Sequence, residues 1–472
     1  MNMPRRSFIK QSMSTAALLA IPTLLPRHVI AGSTTPSPSR KVNIGLVGVG
    51  GQGRDNALQL MKLDDVQIVA IADPAPYWDL HEFYYQAEAG SGPVRQLIEA
   101  HYQQTTPHYR VRVYDHFEDM LEQEVALDAI VCSTPDHTHF YVSATALKAG
   151  KHVYCEKPLT HNIWEAREIA RIARESGLAT QMGNRGHSRS GIRRTVELLQ
   201  SGVIGEVQEA HSWAHATRWN QGLAHATPPT DPVPEGFNWD LWLGPRNPIP
   251  YSHAYSPVKW RDFWPFGTGA LGDFGCHDMD AAVWAFNLHH PSRVCIHPGG
   301  FPIGQWQAGI TPYSEIGSFD FAADGKQQAL KLHWYSGGLR PAHHEWVPEV
   351  FKLGARGELF VGSKGLIQTD GAGTAPRVFP RELKEEADAV PRTLPRSDGH
   401  FRDWIDAIQS GTQSSANFEY SARLTEIVLL GVLSLRLEGE PIHWDPASMS
   451  VRGLPHAADL IREPVREGWN VS

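Results

Sequence analysis

Residues 41–53, Lys-Val-Asn-Ile-Gly-Leu-Val-Gly-Val-Gly-Gly-Gln-Gly, decide how the first half of the chain folds. The first seven form a short apolar strand, and a G-x-G-x-x-G pattern follows at once, before a segment (55–63) with helical character. This context is typical of a dinucleotide-binding turn. Gly48 permits the tight turn, Gly50 lets the backbone approach a pyrophosphate, and Gly53 lets helix and strand pack closely.

The residues after this loop favour NAD over NADP. Gly51 and Gln52 lie at the start of the helix, where N–H groups and positive potential suit phosphates. The next strand, residues 66–72, is apolar enough to be buried on both faces and ends at Asp73. A carboxylate there can accept hydrogen bonds from adenosine ribose hydroxyls and would repel a 2′-phosphate. Turn initiation by an Asp before Pro74 is the alternative.

Two further apolar strands lead into polar motifs. Residues 129–132 run into Ser-Thr-Pro-Asp-His-Thr-His (133–139), and residues 152–155 run into Glu-Lys-Pro (156–158). The carboxyl ends of strands in a doubly wound parallel sheet face the ligand crevice. We therefore predict a Rossmann domain over residues 41–160. Its further candidate cofactor contacts are Thr134, Pro135, His139, Glu156 and Lys157.

Length and composition exclude several classes of protein. The 472 residues suggest two large α/β units, and 41% apolar against 20% charged residues indicates real cores. A net charge of -8 with no dense basic patch argues against nucleic acid as a partner. The four cysteines are too scattered for a disulfide framework, and we expect them to be packing groups.

The N-terminus has the features of an export signal. Arg5 and Arg6 precede a modestly apolar stretch, residues 13–25, which is too short to span a bilayer. The segment resembles a twin-arginine signal covering residues 1–31, followed by a polar linker over 32–40. An ordinary disordered basic N-terminus is the alternative. We expect a periplasmic or otherwise exported protein that meets the twin-arginine export machinery and has no stable membrane anchor.

These motifs together resemble the Gfo/Idh/MocA oxidoreductases, which include glucose–fructose oxidoreductase and inositol dehydrogenase. Besides the glycine loop and residues 134–139 and 155–159, the resemblance rests on five segments: Trp-Asp-Leu-Trp-Leu-Gly-Pro (239–245), Trp-Arg-Asp-Phe-Trp (260–264), Gly-Thr-Gly-Ala-Leu-Gly-Asp-Phe-Gly-Cys-His (267–277), Gly-Glu-Leu-Phe-Val-Gly (357–362) and Asn-Phe-Glu-Tyr (417–420). It covers nearly all of residues 41–450. It implies that an α+β domain with a large open, mostly antiparallel sheet (161–450) follows the parallel Rossmann sheet, leaving a C-terminal tail (451–472).

The second half is expected to supply the substrate side. Strand-like runs at 207–214 and 329–335 alternate in polarity, which fits a sheet covered on one face and able to pair with another subunit, so a homo-oligomer is expected. Residues 215–265, rich in Trp, His, Pro and Asn, are interpreted as a sugar-facing loop and not as core.

The predicted catalytic residues are Lys157, Asp273 and His277. Asp273 and His277 are four residues apart, so a helix would place them on one face. Histidine suits the base that removes an alcohol proton, and Lys157 can hold the alcohol oxygen. The family uses a Glu-Lys-Pro lysine and an Asp-x-x-x-His pair in these roles. A solvated turn lysine and a helix-surface pair are the alternatives.

Candidate sugar contacts complete the site. They are Arg185, His187, Arg218, Trp219 and Trp264, with structural loop residues as the equal alternative. Asp278 and Asp280 beside His277 match no metal-ligand spacing, so no metal is expected.

Three functions are compatible with the sequence. The first is an NAD-dependent oxidoreductase acting on a secondary hydroxyl of a sugar, glycoside or cyclitol, with a cofactor bound tightly enough to survive export. The second is an NAD-dependent glycosidase that works by transient oxidation and elimination. The third is a non-catalytic protein that binds sugar or cofactor.

Overall fold

The computed structural model describes residues 41–223, 227–300 and 309–471. The predicted export signal and linker therefore lie outside the described residues. Within these ranges, no helix is long and apolar enough to cross a membrane.

Strands and helices alternate in the first half and then give way to a run of strands. The strands are β1 (Val42–Val47), β2 (Val66–Ala72), β3 (Trp78–Asp79), β4 (Glu88–Ala89), β5 (Arg112–Tyr114), β6 (Ala129–Cys132), β7 (His152–Cys155), β8 (Thr180–Met182), β9 (Val207–Trp213), β10 (Arg293–Gly299), β11 (Ser314–Phe321), β12 (Leu330–Tyr335), β13 (Gly357–Gly362), β14 (Leu366–Asp370), β15 (Thr374–Phe379), β16 (Trp444–Asp445) and β17 (Ser450–Val451). The helices are α1 (Gly51–Leu60), α2 (Ser91–Tyr102), α3 (Phe117–Gln123), α4 (His139–Lys148), α5 (Ile163–Ser176), α6 (Ser190–Ser201), α7 (Trp239–Leu243), α8 (Gly269–Asp278), α9 (Asp280–Ala285), α10 (Lys384–Ala389), α11 (His400–Ser410), α12 (Phe418–Arg436) and α13 (Ala458–Ile461).

The first sheet is the predicted doubly wound parallel sheet. Its order is β5-β2-β1-β6-β7-β8, and the pairs are parallel. Val47, the last residue of β1, is in register with Ala72 on one side and Cys132 on the other. That register brings the glycine loop, Asp73 and the polar motif after β6 to one edge of the sheet, as strand order around a switch point requires.

The first sheet extends beyond the predicted domain boundary at residue 160. Its last strand, β8, ends at Met182 and pairs with β7. Helix α5 connects the two strands and begins with a capping box, in which Glu165 N–H donates to Asn162 Oδ1 at 3.0 Å. One more strand–helix–strand unit therefore belongs to the Rossmann sheet, because a parallel pair needs a crossover connection of this kind.

The second sheet is mixed and mostly antiparallel, as the resemblance implies. Its order is β10-β11-β12-β9-β13-β14-β15, and β9 and β12 are the pair that runs parallel. One face packs on α12 and α8 in a continuous apolar core that includes Phe319, Leu332 and Trp334. The helix that carries Asp273 and His277 therefore rests against the inner face of this sheet.

The prediction that residues 215–265 form a loop and no core was wrong in part. The aromatic side chains in the described part of this segment form a core of their own that includes Phe237, Tyr251 and Phe263. The C-terminal tail is packed as well: the Glu463 side chain is 7% exposed and lies 2.7 Å from Arg246. Both segments carry enough aromatic surface to be buried against the two domains.

Candidate active site and cofactor cleft

A cleft with about 1220 Å³ of empty space opens at the carboxyl edge of the parallel sheet. Except for Gly53, every predicted cofactor contact lines it. These residues are Gly48, Gly50, Gly51, Gln52, Asp73, Thr134, Pro135, His139, Glu156 and Lys157. Sequence context alone therefore located this cleft.

The glycine loop has the geometry that a pyrophosphate needs. Gly48 has φ +78°, and a Cβ there would lie 2.9 Å from Ser133 backbone atoms. A Cβ on Gly53 would lie 2.0 Å from the Gly48 carbonyl oxygen, so Gly53 serves close packing and does not line the cleft. A Cβ on Gly50 would meet no described atom within 4 Å, and no described side chain caps the start of α1. Free N–H groups beside open space fit the phosphates of NAD.

Asp73 is tied to the glycine loop as well as to its own turn. Its Oδ2 accepts a hydrogen bond from Val49 N–H at 2.6 Å, and its Oδ1 accepts one from Ala75 N–H at 2.8 Å. Burial raises the pKa of Asp73 to about 6, against the opposing effect of these two hydrogen bonds. Each oxygen retains a lone pair for a ribose hydroxyl.

A polar network lies beneath the cleft. Asn56 of α1 donates to Glu156 Oε1 at 3.0 Å and to Ser133 Oγ at 2.9 Å. Arg185 donates to Asn56 Oδ1, and its Nη2 lies 4.0 Å from Glu156 Oε1. Arg185 thus supports the cofactor side of the site and does not line the cleft as a sugar contact.

Lys157 and Asp273 meet where the two domains face each other. Lys157 Nζ donates to the Asp273 carbonyl oxygen at 3.0 Å and also to its carboxylate. Arg261 Nε lies 3.7 Å from the same carboxylate. Burial alone would lower the pKa of Lys157, but the Asp273 carboxylate outweighs it and raises that pKa. Burial alone would raise the pKa of Asp273, but Lys157 and Arg261 lower it below its ordinary value. Both groups are therefore charged at neutral pH.

His277 lies one turn after Asp273 on α8. Burial lowers its pKa well below the ordinary value, and the charges of Lys157 and Arg356 lower it further. The imidazole is therefore neutral at physiological pH and able to accept a proton. It does not line the cleft, whereas Lys157 does.

The remaining candidate sugar contacts are structural. His187 is buried, with Nδ1 2.9 Å from Asp280 Oδ2 and its ring stacked on Trp284. Arg218 is buried and donates to the Thr311 carbonyl oxygen. Trp264 is 2% exposed in the apolar core. Trp219 packs beside Tyr84, 5.9 Å between ring centroids, and does not line the cleft.

Other residues line the cleft where the candidate sugar contacts were predicted to lie. The cleft is lined by an aromatic and basic set that sequence analysis did not select: Trp78, Leu80, Tyr84, Tyr85, Trp242, Trp260, Arg261 and Trp469. Arg261 and Trp260 lie inside a recognised motif, so that motif could have indicated them. Trp469 in the tail carried no such signal.

Tyr85 lies directly over the phosphate-binding turn. A Cβ on Gly51 would fall 2.2 Å from its ring, and its hydroxyl accepts a hydrogen bond from Tyr84 at 2.6 Å. The tyrosines belong to the loop between β3 and β4, which pair with each other. This hairpin lies between β2 and α2, and it forms one wall of the cleft.

The four cysteines are free and buried. Two of them, Cys132 and Cys155, place sulfur atoms near a His139 nitrogen, with all three donor atoms within 4.8 Å of one another. Both His139 nitrogens already face carbonyl oxygens: Nδ1 lies 2.7 Å from Pro158 O and Nε2 lies 2.9 Å from Thr134 O. A metal here would have to displace one of these two contacts, and the contacts themselves position the loops after β6 and β7.

Two family models match the chain. Residues 42–184 match the NAD-binding Rossmann fold of the GFO_IDH_MocA oxidoreductase family, and residues 191–299 match the C-terminal alpha/beta domain of that family. Together they cover just over half of the chain.

Curated relatives align over part of the chain. A glycosyl hydrolase family 109 protein of Shewanella amazonensis is 24% identical over 231 residues, 46% of this chain and 47% of the relative. The 2,7-anhydro-N-acetylneuraminate hydratase of Escherichia coli is 25% identical over 171 residues, 36% of this chain and 39% of the relative. The chain thus spans less than half the length of the curated relatives it matches.

Solved structures with low sequence identity share the fold. The WlbA dehydrogenase of Bordetella pertussis, crystallised with NADH and UDP-GlcNAcA, superposes with a TM-score of 0.57 at 16% identity, covering 86% of this chain and 99% of that chain. The aldose-aldose oxidoreductase of Caulobacter crescentus gives 0.54 at 13% identity, covering 86% and 100%. The chain therefore belongs to the Gfo/Idh/MocA family of oxidoreductases, and its N-terminal domain is the NAD-binding Rossmann domain of that family.

Proposed function

We propose that this protein is an exported, NAD-dependent oxidoreductase that transfers a hydride between the cofactor and a secondary hydroxyl of a sugar, glycoside or cyclitol. The observation that carries the proposal is the contact between Lys157, at the edge of the dinucleotide cleft, and Asp273, on a helix of the other domain. A cation held at that point by two contacts is positioned to bind the oxygen of a substrate alcohol.

The geometry assigns each polar group a task. An ammonium group has three donors. Among the described residues, the two hydrogen bonds of Lys157 go to Asp273, which leaves one N–H for an alcohol or carbonyl oxygen. Asp273 thus fixes the direction of the lysine. Neutral His277 lies one turn further along α8, outside the lining of the cofactor cleft, and is assigned as the acceptor of the hydroxyl proton from a substrate bound on that side of Lys157. NAD, when bound, supplies the hydride acceptor. The alcohol loses one hydride and one proton and becomes a ketone, so electrons and protons balance.

The lining of the cleft mouth supports a carbohydrate as substrate. Trp78 and Tyr84 present aromatic surface in the cleft, which suits the C–H faces of a sugar ring. Arg261, stacked over the Trp260 ring, adds a cation 3.7 Å from the Asp273 carboxylate that holds Lys157. The WlbA structure was solved with a nucleotide sugar, and the fold neighbours include an aldose-aldose oxidoreductase.

Two features favour NAD held tightly. Asp73 lines the cleft directly after β2, the position at which a carboxylate would meet the adenosine ribose and disfavour a 2′-phosphate. Tyr85 packs directly against Gly51 at the phosphate-binding turn, so its hairpin would have to shift as a dinucleotide enters or leaves. Tight retention would reconcile a cofactor enzyme with the predicted twin-arginine export, a route that carries folded proteins. The predicted homo-oligomer is measurable by light scattering of the purified protein.

One set of measurements tests the function. Native mass spectrometry of the purified protein should detect bound NAD, and absorbance of the reduced nicotinamide should rise when a panel of sugars, glycosides and cyclitols is added. Cleavage of a glycosidic bond without net NADH would instead support the glycosidase mechanism, for which the family 109 relative is a precedent in name. Bound ligand with no turnover on any substrate would contradict catalysis.

A further inference from the structure

Three metal-binding side chains lie together on the outer face of the mixed sheet. Glu209 and His211 belong to β9, and His333 belongs to β12, where it is in register with His211. Their neighbours Ala210 and Leu332 face the opposite way, into the core shared with α12. Because successive strand residues point to opposite faces, the group lies across the sheet from the catalytic helix α8.

The donor atoms converge closely. Glu209 Oε1 lies 2.6 Å from Nε2 of His333 and 3.6 Å from Nε2 of His211. All three donor atoms lie within 4.8 Å of one another. The two imidazoles stack with a centroid distance of 4.7 Å and an interplanar angle of 13°, so both rings present an edge toward the same carboxylate.

Both histidines can offer a lone pair. The His211 ring faces the carboxylate with its Nε2, 3.6 Å from Glu209 Oε1. Its Nδ1 lies 3.1 Å from the Tyr335 hydroxyl, which orients the ring and directs Nε2 toward Glu209. His333 Nε2 makes no hydrogen bond of acceptable geometry among the described residues, despite its closeness to the carboxylate. If Glu209 and His333 formed an ordinary histidine–carboxylate hydrogen bond, Nε2 would have a partner of acceptable geometry, and it has none among the described residues.

We propose that Glu209, His211 and His333 form a Zn²⁺ site on the outer face of the mixed sheet. Imidazole and carboxylate ligands bind Zn²⁺ at about 2.0–2.2 Å, which places donors roughly 3.4 Å apart in a tetrahedron. The two measured separations lie on either side of that value, so small side-chain rotations complete the site. The side chains of His211 and His333 are 13% and 20% exposed, which leaves an entry path and a fourth position for water.

The site differs from anything that sequence spacing could indicate. His211 and His333 are separated by 122 positions of the chain, and only the parallel pairing of β9 and β12 brings them together. Its position on the other face of the sheet from α8 means that Zn²⁺ there would take no part in hydride transfer. This inference is therefore independent of the proposed function.

The test uses the full chain without an affinity tag, stripped with a chelator and dialysed. Zn²⁺ is titrated calorimetrically, retained metal is counted by mass spectrometry after desalting, and Co²⁺ serves as a spectroscopic probe. We expect one Zn²⁺ per chain, visible Co²⁺ bands typical of a protein site, and at least tenfold weaker Zn²⁺ binding in Glu209→Gln and in His333→Ala.

A matched control and a second variant keep the proposal testable. His343→Ala removes an exposed histidine that contacts the Val347 carbonyl oxygen, and it should bind Zn²⁺ as the unaltered protein does. Glu209 is 46% exposed, so Glu209→Gln should fold even if His333→Ala does not. Equal Zn²⁺ affinity in the unaltered protein and Glu209→Gln, or no binding at all, would overturn the proposal.

Discussion

The two walls of the cleft are built in different ways. The wall from the parallel sheet consists of turns at strand ends, where short local motifs place backbone N–H groups, Asp73 and Lys157. The opposite wall consists of side chains from the β3–β4 hairpin, from the second domain and from the C-terminal tail, as Tyr85, Arg261 and Trp469 illustrate.

This difference separates binding from chemistry. The first wall is held by the sheet register and by hydrogen bonds such as Val49 N–H to Asp73. The second wall is positioned by contacts across the chain: Thr268 donates to Asp136 at 2.7 Å, and His137 Nε2 lies 3.0 Å from the Trp242 carbonyl oxygen. We expect changes in the first wall to alter cofactor choice and changes at the junction to alter turnover.

Removing the contact between Lys157 and Asp273, where the two walls meet, should give the largest effect. Lys157→Ala removes the cation that faces both Asp273 and the cleft, and turnover should fall by about 10³-fold, the scale of a lost transition-state donor. Dinucleotide affinity, measured by calorimetry, should change little. Lys62→Ala, at an exposed position just after α1, is the control. A turnover close to that of the control would remove Lys157 from the mechanism.

Changing His277 should have the next largest effect. His277→Gln removes the proposed base and should reduce kcat by about 10²-fold, the lower range for a general base.

The pH profile distinguishes a base from a structural role. Because the pKa of His277 is lowered, the neutral form persists as pH falls, and kcat of the unaltered enzyme should stay flat from pH 8 to below the ordinary histidine pKa. The decline should appear only at more acidic pH and should be absent in His277→Gln. An inflection at or above the ordinary histidine pKa would argue for another base.

The preference for NAD over NADP tests the role of the wall formed by the parallel sheet. Asp73→Ser removes a charge near the ribose, and the ratio of NAD to NADP affinity should fall about tenfold, which corresponds to ~1.4 kcal/mol. Asp73→Ser also removes the hydrogen bonds from Val49 and Ala75, which loosens the loop. Because this loss affects NAD and NADP binding alike, it does not change the ratio of the two affinities.

The same carboxyl predicts how selectivity depends on pH. Burial raises the pKa of Asp73 to about 6, so the side chain is ionised above that pH and neutral below it. Preference for NAD should therefore weaken as pH falls through about 6, and should weaken less in Asp73→Ser. Identical pH dependence in both proteins would show that Asp73 does not face the ribose.

The tail should give the smallest effect. Trp469→Ala removes one aromatic wall of the cleft and should weaken dinucleotide binding by roughly threefold, since a single aromatic contact contributes ~0.5–1.5 kcal/mol beyond its buried area. Arg462→Ala, at an exposed position of the same tail, is the control. Equal affinity in both variants would mean that the tail only covers the cleft.

Much of the parallel sheet could be predicted because its determinants are local. Strands β2, β6 and β7 have the predicted bounds, and the capping box at Asn162 and Glu165 is present as the residues indicate. Apolar strands, glycine turns and caps act within a few residues of themselves, so their pattern is visible in the chain. The domain limit was placed too early because β8 has only three residues and no distinctive pattern.

Which residues contact a sugar could not be predicted in the same way. Arg218, His187 and Trp264 have residue types that suit sugars, but their neighbours bury them. Residue type alone does not show whether a side chain is buried in the core or exposed to solvent.

The amino-acid sequence by itself therefore determined the dinucleotide turn, the family motifs and the shared helix of Asp273 and His277. Only the tertiary structure decided that Lys157 meets Asp273, that Tyr85 covers Gly51, and that Trp469 returns to the cleft. The physical reason is the range of the interactions: backbone turns and helix periodicity act over a few residues, whereas these contacts depend on how two sheets and a tail pack together.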